Sequence, residues 1–133
     1  MLDRELAEAE FLRMCENCDI ETEFAEDEKT EADAFEKEKR AVVKLIQKGS
    51  LVITEEGNAE YTPQRSVSQK PVTFKEPRGS ALTAMGGVGK DQEMKRIMLA
   101  MVDFSDAHSV KQFIQMSKRD VAACLLLGSI FLQ

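Results

Sequence analysis

Three cysteines and a single histidine are the side chains best suited to nucleophilic, redox or metal chemistry in these 133 residues. Cys15-Glu16-Asn17-Cys18 has CxxC spacing. A zinc site would need two further ligands, usually a second CxxC or a His pair. The chain offers only Cys124 and His108, distant and unpaired. A dithiol redox site would need the pair at a helix N-terminus after a strand, where the dipole lowers the thiol pKa. Here the pair falls at the C-terminal end of a helical pattern, among carboxylates. It therefore reads as structural thiols. Gly86-Gly87-Val88-Gly89-Lys90 resembles part of a phosphate-binding loop. That loop needs an earlier glycine and a Ser/Thr after the lysine, whose hydroxyl binds the metal. Ala84 and Asp91 occupy those places, so the stretch reads as an interhelical loop. His108 lies beside Asp106 and Ser109, but a Ser-His-Asp unit is a spatial arrangement that sequence neighbours do not make. Acids abound in the first 40 residues, yet a solvated acidic arm is no catalytic pair with split pKa values. The expectation is a protein with no catalytic, cofactor or metal residues.

The elements around these groups divide in two at Val72–Met85. Leu2, Leu6, Ala9, Phe11-Leu12 and Met14-Cys15 recur at helical spacing, which predicts a helix over 3–18. Residues 19–33 are acidic, with Phe24 as the large anchor, and read as a mobile linker. A second amphipathic helix is predicted over 34–47, with Phe35, Val42, Val43 and Ile46 on one face. Asp33 would be its N-cap, Glu36 would close a capping box, and Gly49 would be its C-cap. Leu51–Thr54 and Ala59–Thr62 flank Glu55-Glu56-Gly57-Asn58, the pattern of a β-hairpin. Val72 and Phe74 alternate with Thr73 and Lys75 in a third strand. Pro77 and Gly79 stop it, and Ser80 reads as the N-cap of a short helix to Met85. Helices follow over 91–103 and 106–116. Ser117-Lys118-Arg119-Asp120 then reads as a capping box opening an almost wholly apolar helix, 120–132. The fold class expected is α+β: N-terminal helices and a small antiparallel sheet, then a C-terminal bundle of helices. The organisation expected is an acidic helical arm (1–48), a small sheet (49–76) and a helical domain (77–133).

Composition narrows the partners. Apolar residues make up 43% of the chain, but aromatics only 6%, with no Trp, so the core must rest on Leu, Val, Ile and Met. The first 40 residues carry 15 acidic and six basic side chains; the other 93 carry nine and twelve. An acidic arm lacks the basic footprint of general nucleic-acid binding. The acidic start Met-Leu-Asp-Arg-Glu-Leu is unlike a secretory n-region, and Val121–Leu127 is too short an apolar run to span a bilayer. No nucleic acid or membrane partner is expected, and the cysteines read as reduced thiols.

Several stretches together resemble the tail assembly chaperones of long-tailed bacteriophages and prophages. They are Glu8-Ala9-Glu10-Phe11-Leu12-Arg13, Gly49-Ser50-Leu51-Val52-Ile53 with Glu56-Gly57-Asn58, and Tyr61-Thr62-Pro63-Gln64-Arg65-Ser66. Val72-Thr73-Phe74 with Glu76-Pro77, Gly79 through Leu82, and Met85 complete them. The chain departs from the pattern at Gly86-Gly87, where such proteins tend to carry a charge. The resemblance implies a non-enzymatic assembly factor in the host bacterial cytoplasm. It would bind the long helical tape-measure protein, help recruit tail-tube subunits, and be absent from the finished particle. Self-association, a minor structural role in the tail or virion, and a small thiol- or metal-binding regulatory domain stay open as alternatives. A Met-rich helical half suits an adaptable protein surface. The residues expected to form or border it are Met94, Ile97, Met98, Met101, Phe113, Leu125, Leu126, Ile130 and Phe131.

Overall fold

Asp3 accepts a hydrogen bond from the Leu6 amide and so opens the first helix, α1 (Arg4–Asn17). The computed structural model describes residues 2–86 and 89–132. Over these described residues it is an α+β fold of six α-helices and one three-stranded antiparallel sheet. After α1 come α2 (Lys29–Lys48), β1 (Leu51–Ile53), β2 (Ala59–Tyr61) and β3 (Val72–Phe74). Then follow α3 (Gly79–Met85), α4 (Glu93–Asp103), α5 (Val110–Ile114) and α6 (Lys118–Phe131). No helix among the described residues is long and apolar enough to cross a membrane.

The acidic segment is more ordered than its composition suggests. Ile20 is buried, and the Phe24 ring packs on Phe35 with centroids 5.4 Å apart. A 3-10 turn over Glu26–Glu28 then runs directly into α2. Glu28, not Asp33, occupies the N-cap position, and residues 29–33 are the first turns of the helix. The acids that argued for a linker lie near a helix N-terminus, where the dipole favours them. Gly49 closes α2 at φ +86°, as expected.

The strands form a meander, β1-β2-β3, with Leu51 opposite Tyr61 and Ala59 opposite Phe74. Leu51, Ile53, Ala59, Tyr61, Val72 and Phe74 point to one buried face. The hairpin turn is held from outside. Arg13 donates to the carbonyl oxygens of Ile53 at 3.0 Å and Thr54 at 2.7 Å, and Glu10 steadies its guanidinium at 2.7 Å. Gly57 sits in this turn at φ +87°, and a Cβ there would lie 2.7 Å from Asn17 Cβ. The far edge is covered as well. Lys75 N donates to Phe104 O, and Asp106 N donates to Thr73 O. The Asp106 carboxylate also accepts from Thr73 N, so the expected helix over 106–116 shrinks to α5. Asp106 is engaged with the sheet edge and does not begin a helix.

Ser80 is not the N-cap of α3. Arg78 holds that position in extended backbone, and the Ser80 hydroxyl donates to Asp103 on α4 at 2.8 Å. Gly87 and Val88, in the middle of the expected interhelical break, lie outside the described residues. The core draws on all three stretches of the chain: Phe11 and Met14 from α1, Val42 and Ile46 from α2, the inward sheet face, and Leu127 and Ile130 from α6. Phe74 joins the sheet to the helices, lying within about 6 Å of the Phe104, Phe113 and Phe131 rings. α6 reaches close to α4 at Gly128, where a Cβ would come within 2.7 Å of Met101 Sδ.

Candidate functional site

The expected partner surface separates into core and exposed parts. Met98, Met101, Phe113, Ile130 and Phe131 are buried and help hold the helices together. In this fold they leave little surface for a partner. Their helical spacing marked an apolar stripe correctly, but that stripe faces the chain's own core. Ile97, Leu125 and Leu126 are half-buried, and Met94 is 59% exposed.

Leu126 borders a groove that the sequence did not reveal. It runs between α2 and α6 and encloses about 450 Å³. Ala41 and Leu45 line it from α2, and Ala122, Ala123 and Leu126 from α6. Lys48, Arg65 and Arg119 also line it, all exposed cations. No acidic side chain lines it apart from Asp120, which is 1% exposed and fully engaged elsewhere. An apolar trough with positive edges is the complement of an amphipathic helix carrying acids beside its apolar face.

Asp120 fixes the shape of this groove. Oδ1 accepts from the Tyr61 hydroxyl at 2.6 Å and the Gln64 amide at 2.8 Å. Oδ2 accepts from the Arg65 amide at 3.0 Å and from the Ser66 and Ser117 hydroxyls at 2.6 and 2.9 Å. One carboxylate thus ties α6 to β2 and to the loop that follows Pro63. Burial alone would push its pKa up. Donation from Gln64, Ser66, Tyr61 and Arg65 outweighs that and holds Asp120 well below the usual carboxylate range. Burial and the same carboxylate push the Tyr61 phenol above its ordinary value. Half of the expected capping box is present: Ser117 accepts from the Asp120 amide. The Ser117 amide goes to Ser66 Oγ instead, because Asp120 is already fully engaged. The available signal was a lone acid leading an otherwise apolar helix, in register with residues that must face inward.

The other chemistry-bearing groups are also committed. Cys15, Cys18 and Cys124 are free and buried. Burial pushes the Cys15 and Cys124 thiols up to about 12, and raises Cys18. Cys18 Sγ lies 3.7 Å from Gly57 O, against the hairpin turn. Among the described residues no three His, Cys, Asp or Glu side chains are grouped to hold a metal. His108 is exposed, with Nε2 3.3 Å from Lys70 Nζ.

Set beside protein-family models, curated proteins and solved structures, the chain matches none of them.

Proposed function

We propose that this chain is a non-enzymatic tail assembly chaperone of a long-tailed phage or prophage. It binds the helical tape-measure protein and helps bring tail-tube subunits to it in the bacterial cytoplasm, without remaining in the particle. The observation that carries the reading is the α2–α6 groove, an apolar floor flanked by Lys48, Arg65 and Arg119. A tape-measure protein is a long amphipathic helix whose apolar stripe must be shielded before the tube closes round it. A groove of this chemistry would take one to two turns of such a helix, with its acids against the cations. The resemblance at Tyr61–Ser66 adds support, because that stretch forms the wall Asp120 holds in place.

Binding can be measured by calorimetry against tape-measure fragments encoded in the same genome. Ala122 is exposed, and arginine is a good helix former, so Ala122→Arg fills the groove without disturbing the fold. It should weaken binding by about tenfold or more, a loss of at least about 1.4 kcal/mol. Lys48→Glu with Arg119→Glu should weaken it and flatten its salt dependence. Unchanged affinity in both variants, or no binding by the wild type, overturns the proposal.

A further inference from the structure

On the other side of the loop that Asp120 anchors lies a second cleft of about 540 Å³, with Val67 and Met116 on its walls and lysines as its only charges. Lys70 and Lys111 line it with His108, Ser68, Ser109 and Gln112, and no acidic side chain contributes. Lys70 faces the imidazole of His108 rather than a carboxylate. Neither lysine has an ion-pair partner among the described residues. Two cations beside one cleft, with no acid lining it, make a local positive patch in a chain of net charge −6. They concentrate positive potential opposite in sign to the acidic first 40 residues.

The same chain carries an element of opposite charge, displayed in an ordered form. In the segment between α1 and α2, Ile20 is buried and Phe24 packs on Phe35, which pins the backbone. Glu21, Glu23, Glu26 and Asp27 project outward and are exposed, with no ion-pair partner among the described residues. This strap makes no salt bridge to the cleft of its own chain.

We infer that the strap of one copy, led by Glu21 and Glu23, docks in the Lys70–Lys111 cleft of a second copy. The pairing joins two different surfaces, so two copies either exchange straps across a two-fold axis or leave one strap and one cleft free for further copies. It is electrostatic, and therefore weak and sensitive to salt. It uses none of the residues of the α2–α6 groove, so it stands or falls independently of the proposed client binding.

Sedimentation velocity of the full chain tests it at about 0.01 M and about 1 M salt, where the Debye length falls from about 30 Å to about 3 Å. The wild type should show a concentration-dependent boundary faster than the monomer at low salt, lost at high salt. Lys70→Glu with Lys111→Glu should abolish that boundary, and so should Glu21→Lys with Glu23→Lys. All four positions are exposed, and circular dichroism checks that each variant folds. The fourfold charge swap should regain association, because the charges are again complementary between copies. A wild type that stays monomeric at low salt overturns the inference, even if it binds a polyglutamate peptide, since that would assign the cleft to another acidic partner. Association that survives either double variant overturns it too.

Discussion

Asp120→Asn changes one buried oxygen to an amide and leaves volume almost unaltered. It retains an acceptor for the Tyr61 hydroxyl and the Gln64 amide, but loses the charge that strengthens both bonds. The new NH2 faces the Arg65 amide and the Ser66 and Ser117 hydroxyls. The two hydroxyls can rotate to accept. The Arg65 N–H cannot, and is stranded. Losing charge assistance on two bonds costs about 1 kcal/mol each, and one unsatisfied buried donor about 1–3, so the total is about 3–5 kcal/mol. For a chain of this size that lowers Tm by about 10–15 °C. Urea denaturation should show the midpoint falling with the slope unchanged. The pH dependence carries the sign. The folded-state pKa of Asp120 is depressed, so its stabilisation is fully present above the unfolded value of about 3.9 and is lost as pH falls below it. The gap between wild type and variant should therefore narrow below about pH 4. A gap under about 0.5 kcal/mol at neutral pH, or one that widens in acid, would refute the network's role.

Three further outcomes follow from the same geometry. Tyr61→Phe removes one of five donors to Asp120 and should cost about 1–2 kcal/mol in the same denaturation assay, clearly less than Asp120→Asn. Gly57→Ala should cost more than Gly49→Ala by at least about 1 kcal/mol. Both glycines have φ near +86°, but only at Gly57 would the new Cβ meet Asn17, while Gly49 has open space. Thiol titration of the native protein at pH 8 should be slow for all three cysteines, since burial holds Cys15 and Cys124 near 12, and rapid and complete in denaturant.

Periodicity, turn residues and helix stops together marked the helices and strands of the described residues. The boundaries moved where a long-range bond outbid a local signal. Asp106 looked like the start of a helix and is instead committed to Thr73 across the sheet edge. Ser80 looked like a cap and binds Asp103. Asp33 lost its capping role because Ile20 and Phe24 order the strap ahead of it, an effect composition cannot register. The site was harder to read. A Met stripe does not tell whether it faces a partner or the chain's own core, and Met98 and Met101 face the core. The groove depends on α2 meeting α6, about 80 positions apart in the chain, and on a carboxylate four of whose five partners lie more than 50 residues away. Neither relationship leaves a local pattern.

Soluble yield of the tape-measure protein on co-expression tests the central claim most directly. With the wild-type chain that protein should move from the pellet to the supernatant and co-purify with it. With folded Ala122→Arg it should stay insoluble. Equal solubility without the chain, or with the groove filled, would contradict the account.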